Sequence, residues 1–362
     1  MGRPLRVLIA GGGTGGHIFP GLAVAEALRQ LAPDVDIRFA GGSHGIEQRV
    51  VPAHGYRLYR IPVRGLYQVS LRQRLWVLAM LPAAFLKCLL ILAAFRPRLV
   101  IGVGGYASGP MLATALLLGR CCVIQEQNTV PGMTNRLLGR WVRRAFVVTA
   151  GQERWFRHPR VVGSPVRRSI LALRAQPQAP RPVPQILVIG GSQGARAINR
   201  AMVEALPRLA EWDRPLRIVH QAGPQHADEM RAAYAGTRLD ARVVPFIEDM
   251  AGAYRDSRLL VSRAGASAVN EIVAARRASI LIPIPGTSGD HQLQNARRLE
   301  QVGAAVVIEQ AHLTGERLGD LLLQCLEQPE RLDAMERACD TIFPGDAAAR
   351  IAEECLALLR PG

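Results

Sequence analysis

The chain has 362 residues, of which 49% are hydrophobic and 20% are charged. This length is typical of two domains, and the composition excludes a disordered protein because it supplies enough apolar residues for two cores. The net charge of +16 lies in the first half, since residues 1–180 carry +18 and residues 181–362 carry −2.

We therefore expect the first half to face an anionic partner, either nucleic acid or a phospholipid surface. Aromatic residues make up only 5%, and no nucleic-acid-binding motif is present, so nucleic acid is the weaker candidate. The six cysteines show neither a CxxC pair nor the Cys/His spacing of a metal site. The opening MGRPLRVLIAGGG leads into a strand and not a signal peptide, which predicts reduced thiols in a cytoplasmic protein.

Short apolar runs alternate with helical patterns through the first half. Residues 6–10 predict a strand, 11–17 a glycine-rich loop, and 20–31 a helix with Pro20 at its first position. Further strands are predicted at 36–42, 99–105, 121–128 and 145–150, with a helix near 108–118. Such alternation predicts a parallel sheet.

Residues 75–95 form an apolar stretch about long enough to cross a hydrocarbon core. Pro82 and Lys87 interrupt it, so a membrane span, a buried helix and a helix lying partly in a membrane interface stay open as interpretations. The stretch is flanked by Arg64, Arg72, Arg74, Arg96 and Arg98. These arginines favour the interfacial helix, because each adds about 1 kcal/mol of attraction near an anionic surface. The residues expected at the membrane are Arg72, Arg74, Trp76, Phe85 and Lys87.

The opening pattern returns in the second half. Residues 169–184, rich in Pro, Gln and Arg, are typical of a linker, and 185–206 repeat the order strand, glycine loop, helix. Later apolar runs predict strands at 216–223, 241–246, 258–265 and 279–285. Two similar α/β halves are therefore predicted, with ligands bound in the cleft between them, beyond the carboxyl ends of the strands.

The loop Gly11–His17 lies where a strand is followed by a helix. Its N–H groups can approach an anion closely, and the helix dipole favours negative charge there. It contains GxGxxG, but an NAD-dependent oxidoreductase also needs an acidic residue at the end of the second strand, where this chain has Ala40-Gly41-Gly42. A dinucleotide site is therefore disfavoured. His17 is interpreted either as a general base or as a residue that positions the loop.

Three segments of the second half could hold a nucleotide sugar. Residues 190–195, with the Ser192 hydroxyl, offer a second phosphate loop. In 263–271, small residues allow close approach, and Glu271 either accepts from two ribose hydroxyls or only stabilises a helix start. Residues 289–296 place amides, suited to sugar hydroxyls, at a strand-to-helix junction. Asp290 and His291 lack a third ligand, so neither a metal nor a cofactor is predicted.

Taken together, these motifs resemble one known family. The chain carries, in order, GGTGGH (12–17), GGYAS (104–108), QEQN (125–128), GSPVR (163–167), GGSQGA (190–195), FIEDM (246–250), SRAGA followed by NE (262–271) and DHQ followed by NA (290–296). This pattern resembles the MurG family of bacterial glycosyltransferases, within glycosyltransferase family 28, over essentially the whole chain.

The resemblance implies an α/β GT-B fold with two Rossmann-like domains. It implies an N-terminal acceptor- and membrane-binding domain (1–165), a linker (166–184), a C-terminal UDP-GlcNAc-binding domain (185–340) and a last helix (341–362) that packs back on the first domain. It further implies an inverting hexosyltransferase. Such an enzyme moves GlcNAc from UDP-GlcNAc to the MurNAc 4-hydroxyl of lipid I and so gives lipid II for peptidoglycan.

The resemblance also implies site residues, with His17 as candidate base or acceptor-positioning group and Glu271 on the ribose. The expected UDP-GlcNAc contacts are Thr14, Gly15, Gly16, Asn128, Arg167, Ser192, Ile247, Ala266, Ser267, Ala268, Val269, Asn270, Glu271 and Gln292. The chain departs from the family twice. Ser267-Ala268 stands where the family often has Leu-Thr, and Leu293 separates Gln292 from Gln294 where the family often has adjacent glutamines. Either amide can therefore be the one that reaches the sugar.

The expected partners are UDP-GlcNAc, undecaprenyl-linked lipid I and an anionic membrane surface. Proteins of cell-wall synthesis and division are further candidates, and nucleic acid is not expected. The implied location is peripheral, on the cytoplasmic face of the bacterial inner membrane. One alternative shares the fold: a lipid glycosyltransferase with a diacylglycerol acceptor would have the donor motifs but not necessarily QEQN.

Overall fold

The computed structural model describes residues 4–63, 79–152, 154–176, 182–286 and 290–360. The chain divides into two compact units. Residues 1–167 and 344–362 make up the first unit, and residues 168–343 make up the second. Each unit is built around one parallel sheet.

The first unit contains a seven-stranded sheet in the order β3-β2-β1-β4-β5-β6-β7, and every neighbouring pair is parallel. The strands are β1 (Arg6–Ala10), β2 (Asp36–Gly42), β3 (Arg57–Ile61), β4 (Leu99–Gly102), β5 (Cys121–Gln125), β6 (Arg144–Val147) and β7 (Pro159–Val161). The helices are α1 (Gly15–Leu31), α2 (Glu47–Ala53), α3 (Leu81–Phe95), α4 (Ser108–Leu117), α5 (Met133–Leu138) and, from the end of the chain, α14 (Ala347–Ala357).

The second unit contains a six-stranded parallel sheet in the order β10-β9-β8-β11-β12-β13. The strands are β8 (Gln185–Ile189), β9 (Arg217–Gln221), β10 (Asp240–Val244), β11 (Leu259–Ser262), β12 (Ala278–Leu281) and β13 (Ala305–Val307). The helices are α6 (Arg168–Leu171), α7 (Arg196–Leu209), α8 (Ala227–Ala235), α9 (Met250–Asp256), α10 (Ala266–Ala275), α11 (His291–Gln301), α12 (Gly315–Glu327) and α13 (Pro329–Ile342); two 3-10 turns cover Ala172–Ala175 and Gln310–His312.

The central strand β1 shows how the first sheet is buried on both faces. Alternate side chains of a strand point to opposite sides. Val7 and Ile9 belong to the apolar cluster that includes α1, whereas Leu8 and Ala10 belong to the cluster that includes α3 and α4. A strand of this kind reads as a continuous apolar run, which is why it was predictable.

The helix α14 packs against α1 after the chain has passed through the second unit. Ile351, Ala352 and Cys355 are fully buried in the same cluster as Val7 and Ile9. Desolvation by burial raises the pKa of the Cys355 thiol. Glu354 pairs with Arg144 at the edge of this contact. The helix is therefore part of the first unit's core.

The helix α3 has two apolar faces. Ala84, Cys88, Ile91, Leu92 and Phe95 are buried against the sheet. Phe85, Leu86, Leu89 and Leu90 lie on the other face and are exposed, with Leu86 58% and Leu90 56% exposed. Among the described residues, no helix has both the length and the apolar character needed to cross a membrane. Arg72, Arg74 and Trp76 lie outside the described residues.

The predicted α/β fold class is confirmed, and the strands predicted at 6–10 and 36–42 match β1 and β2 residue for residue. The strands β3, β7 and β13 were not predicted. The prediction that Pro20 begins a helix was wrong, because α1 starts at Gly15 and Pro20 lies inside it. Proline lacks an N–H, so the helix forgoes one hydrogen bond there.

The predicted linker at 166–184 is partly structured and belongs to the second unit from residue 168 onward. Contacts of Arg174 fix residues 168–176 to the second unit. Its guanidinium donates to the Val273 carbonyl at 2.8 Å, pairs with Asp340 and lies 3.8 Å from the centre of the Phe343 ring. Residues 177–181 of the predicted linker lie outside the described residues.

Candidate functional site

The first glycine loop joins β1 to α1 at the carboxyl end of the sheet. Gly13 adopts a left-handed backbone with φ of +91°, which suits glycine, and the Gly11 N–H donates to Ala40 O at 3.0 Å. The helix then starts at Gly15 with Thr14 extended before it and exposed. The positive end of a 17-residue helix dipole is therefore directed at this loop.

A second glycine pair interlocks with the first loop. Gly104 and Gly105 have φ of +90° and +80°. A Cβ on Gly104 would lie 2.7 Å from Nδ1 of His17, and one on Gly105 would overlap the Gly12 carbonyl. Close approach of the two loops thus requires glycine at both positions, which gives the GGYAS motif a physical role.

Val103 and Gln127 are the two hydrogen-bonding neighbours of His17 Nδ1. The Val103 carbonyl oxygen lies 3.1 Å from Nδ1 and accepts from it in the tautomer that carries the hydrogen on Nδ1. The side-chain nitrogen of Gln127 lies 2.5 Å from the same Nδ1 and donates to it in the other tautomer. In the tautomer that donates to Val103, the lone pair is on Nε2, which is the state a general base needs.

A buried carboxylate organises the segment that carries Asn128. Glu126 is 1% exposed and accepts from the Asn128 N–H at 2.9 Å, the Asn128 amide at 3.0 Å, the Gly132 N–H at 2.9 Å and the Asn135 amide at 2.8 Å. One N–H of the Asn128 side chain is thus committed to Glu126. Sequence analysis quoted Glu126 only within QEQN and missed this role.

Arg167 is the last predicted donor contact of the first unit. Its guanidinium lies 4.6 Å from the centre of the Phe19 ring, on α1 two residues after His17. This cation–π contact contributes about 0.5–1 kcal/mol at a partly exposed site. The structure therefore brings Thr14, His17 and Arg167 to neighbouring parts of the same helix start.

The loop at 190–195 repeats this arrangement in the second unit. Gly191 and Gly194 have φ of +85° and +78°, and the Gly194 N–H closes a turn onto Gly191 O at 2.9 Å. A Cβ on Gly194 would overlap the Ala222 carbonyl. Ser192 is exposed at the tip, and the 14-residue helix α7 begins just beyond it. Backbone N–H groups and a hydroxyl are thus presented together.

Gln221, which sequence analysis missed, ties this loop to the segment around Ile247. It ends β9 and is 3% exposed. Its side-chain nitrogen donates to the Gly191 carbonyl at 2.8 Å, and its oxygen accepts from the Ile247 N–H at 2.9 Å. Because that N–H is committed to Gln221, any contact of Ile247 with a ligand in this arrangement uses its carbonyl or side chain.

The helix α10 carries the predicted ribose residue. Glu271 is 6% exposed, and its Oε2 accepts from the Tyr254 hydroxyl at 3.4 Å. Val269 is in the core, and the Asn270 amide donates to Ala266 O at 2.7 Å within the helix. These two side chains therefore serve packing, whereas Gly265 to Ala268 present the start of the helix.

Arg263 supports that helix start from below. It is 9% exposed and donates to Ile282 O at 3.0 Å and to the Gln310 side-chain oxygen at 2.8 Å. Desolvation lowers the pKa of Arg263 to about 10, so the guanidinium stays charged at neutral pH. It fixes residues that follow β11, β12 and β13 relative to one another.

The side-chain amides predicted to hydrogen-bond to the sugar hydroxyls lie on the first turn of α11. Gln292 accepts from the Ile284 N–H at 3.1 Å through its oxygen, so its nitrogen remains the group with donor capacity, whereas Gln294 is exposed. Asn295 is buried and donates to Ala264 O at 3.2 Å. Within the described ranges, no three His, Cys, Asp or Glu side chains are placed to hold a metal ion.

Two family models match the chain. The description of one is the glycosyltransferase family 28 N-terminal domain, matched over residues 7–147, and that of the other is the family 28 C-terminal domain, matched over 185–351. A protein of Syntrophotalea carbinolica is 43% identical and covers 97% of this chain and 98% of its own length; one of Syntrophus aciditrophicus is 42% identical and covers 98% and 99%. Both are named UDP-N-acetylglucosamine–N-acetylmuramyl-(pentapeptide) pyrophosphoryl-undecaprenol N-acetylglucosamine transferase.

Solved structures agree with these matches. The crystal structure of Acinetobacter baumannii MurG superposes with a TM-score of 0.77 at 31% identity, covering 98% of this chain and all of that one. The calicheamicin glycosyltransferase CalG4 superposes with a TM-score of 0.67 at 16% identity, which speaks for the fold alone.

Proposed function

The chain belongs to glycosyltransferase family 28, and from this premise we propose that it transfers GlcNAc from UDP-GlcNAc to lipid I and so completes lipid II. The observation that carries the proposal is the full-length match, at 41–43% identity, to relatives that bear this activity in their names. The enzyme is a hexosyltransferase of peptidoglycan synthesis, with an α/β GT-B fold.

The second unit holds the donor. Leaving UDP carries negative charge, which the N–H groups at the starts of α7 and α10 stabilise, with Ser192 adding a hydroxyl. Glu271 accepts from the vicinal ribose hydroxyls, and Tyr254 orients its carboxylate. The Gln292 amide donates to the sugar. The backbone of Ala266, Ser267 and Ala268 lies against the nucleotide.

The first unit activates the acceptor. Inversion in one displacement requires the acceptor hydroxyl to lose its proton as it attacks the anomeric carbon. His17 is the base, acting in the tautomer whose Nδ1 donates to Val103 O and whose lone pair is on Nε2. Thr14, Gly15, Gly16, Asn128 and Arg167 are further proposed donor contacts.

The first unit also binds an anionic membrane through three adjoining helices. α4 contacts both α3 and α5, and exposed apolar side chains lie on α3, at the end of α4 and in the region of α5. The α3 part includes Phe85 and Lys87; α4 and the region of α5 add Leu117, Met133, Leu137 and Trp141, with Leu117 84% and Trp141 73% exposed. Arg140 and Arg143 are exposed beside Trp141. Apolar insertion combined with basic attraction supports peripheral binding, and the location we propose is the cytoplasmic face of the bacterial inner membrane.

The deciding experiment is transfer of labelled GlcNAc from UDP-GlcNAc to a lipid I analogue, with EDTA present. Product formation supports donor, acceptor and metal-independent transfer together. Transfer to a diacylglycerol but not to the lipid I analogue would overturn the acceptor assignment while keeping the donor site. Absence of transfer to either would overturn the activity.

A further inference from the structure

Glu47 is a buried carboxylate that the mechanism above does not use. It is the first residue of α2, just beyond β2, and its side chain has no solvent exposure. Its Oε2 accepts from the Gly13 N–H at 2.9 Å, and its Oε1 accepts from the Gly42 N–H at 2.9 Å. One carboxylate therefore joins the first glycine loop to the loop after β2.

The glycines around this carboxylate are explained by its size. A Cβ on Gly12 or Gly45 would overlap the Glu47 carboxylate oxygens, and one on Gly41 would lie 2.8 Å from Glu47 Cγ. Glycine at these positions thus makes room for Glu47, in addition to allowing a ligand to approach. Sequence analysis interpreted the first glycine loop as an anion-binding loop and did not identify Glu47.

The two hydrogen bonds also decide which N–H groups of the loop face outward. Burying a carboxylate is costly unless N–H donors satisfy it, and charge-assisted bonds to backbone N–H groups are among the strong ones. The Gly13 N–H is committed to Glu47 and the Gly11 N–H to Ala40 O, so neither is available to a ligand in this arrangement. Gly13, held at a φ of +91°, then directs the chain into α1.

A displacement of Gly12 and Gly13 would also displace His17, because the two parts are connected in two ways. Along the chain, His17 follows Gly13 by four residues. Through space, Gly12 packs against Gly105, and Gly104 packs against the His17 ring. A cavity of about 500 Å³ lies at the same place, with Gly13, His44, Glu47 and Tyr106 among its lining residues.

We propose that Glu47 is a positioning residue: its buried carboxylate holds the first glycine loop in the one conformation that places His17 and the N terminus of α1 for transfer. The inference rests on the proposed function for its catalytic consequence. Its structural half, the fixing of residues 11–17, stands on the hydrogen bonds alone.

The first test is Glu47→Gln, which keeps the size of the side chain but replaces one acceptor oxygen with an N–H₂ group. Either the Gly13 or the Gly42 N–H then loses its acceptor. Because a displacement of about 1 Å in a catalytic group can cost about 100-fold, kcat should fall about 10- to 100-fold. KM for UDP-GlcNAc should rise by a smaller factor than kcat falls, since the second unit holds most of the proposed donor contacts and only Thr14, Gly15 and Gly16 lie on the displaced loop.

The matched control is Val51→Ala on the same helix. Val51 is fully buried, so its truncation destabilises the first unit but removes no group that hydrogen-bonds to the Glu47 carboxylate. At a temperature where both variants are folded, Val51→Ala should keep the wild-type kcat. If Glu47→Gln loses no more kcat than Val51→Ala at a comparable loss of Tm, Glu47 is structural only and the proposal is overturned.

A double-mutant cycle tests whether the glycines act through Glu47. Gly45→Ala should lower kcat because its methyl group displaces the carboxylate, whereas in a Glu47→Ala background the same methyl group has room. The double variant should therefore be no slower than Glu47→Ala alone. Additive losses would show that Gly45 acts independently and would count against the proposal.

Hydrogen–deuterium exchange of peptides covering 11–17 separates this inference from the proposed function. Glu47→Gln should raise exchange there at least tenfold, and Val51→Ala should not. If the wild type transfers no GlcNAc to lipid I yet this difference holds, the function has failed and the loop assignment stands. Equal exchange in wild type and Glu47→Gln overturns the loop assignment itself.

Discussion

Gln221→Leu should weaken donor binding without slowing the chemical step. Leucine keeps most of the volume of the side chain but can neither donate to Gly191 O nor accept from the Ile247 N–H. The Ile247 N–H is buried and loses its only acceptor shown, at about 1–3 kcal/mol, whereas the carbonyl of exposed Gly191 can bond water instead, so the free energy of unfolding should fall by about 1–3 kcal/mol.

The effect on donor binding follows from the loops that Gln221 joins. Without the two hydrogen bonds of Gln221, the 190–195 loop and the segment around Ile247 are less ordered in the free enzyme. Donor binding must then order them. If this ordering costs about 1–2 kcal/mol of binding free energy, KM for UDP-GlcNAc rises about 5- to 30-fold. The kcat value should stay within about twofold, because the loss applies equally to ground state and transition state.

Steady-state kinetics and calorimetric titration with UDP would measure both quantities. The control is Gln185→Leu, which removes the hydrogen bond from Gln185 to Ser257 in the same unit, away from the two loops. It should lower Tm but leave KM unchanged. An unchanged or lower KM in Gln221→Leu would refute the reasoning, since it would mean that freeing the Ile247 N–H helps the donor more than ordering the loops costs.

Three further predictions concern other parts of the molecule. His17→Ala should lower kcat about 10²- to 10⁴-fold with little change in KM for UDP-GlcNAc, and near-normal turnover would exclude a general base there. Leu86→Glu with Leu90→Glu should abolish binding to vesicles containing anionic phospholipid while transfer to a soluble acceptor analogue is kept; retained vesicle flotation would reject the apolar face. Buried His220 accepts from Tyr234, donates to Asn199 and has a pKa lowered by desolvation to about 4, so its contribution is complete above about pH 6.5 and is lost as pH falls toward 4. Tm measured against pH should fall by more over that range in wild type than in His220→Gln, and equal slopes would contradict this linkage.

The central strands were predictable from sequence because burial on both faces makes them continuous apolar runs, as in Arg6–Ala10 and Gln185–Ile189. The strand β3, RLYRI, was missed because at the edge of the sheet it carries two arginines with only Ile61 fully buried. The start of α1 was misplaced because Pro20 resembles a first helical residue, whereas the preceding glycines are already helical.

The loops of the candidate site were predictable because glycine-rich segments follow strands in both halves. The residues that hold those loops were not. Glu47 lies 34 residues from Gly13, and Gln221 lies 26 residues from Ile247 and 30 from Gly191. Each is a single polar side chain whose hydrogen-bond partners are backbone atoms, and almost every residue type supplies a backbone N–H and a carbonyl. Only the fold brings the two together.

The packing of α14 on α1 constrains the order in which the protein can be made. During synthesis, α1 emerges from the ribosome more than 300 residues before Ile351 and Cys355, which cover part of its apolar side. The second unit is one continuous segment and can close while the first still lacks this cover. In the nascent chain, the apolar side of α1 therefore stays partly exposed until translation is nearly complete. A ribosome stalled before residue 347 would hold a first unit that lacks α14. The exposed apolar surface of such a chain is the kind of surface that chaperones bind.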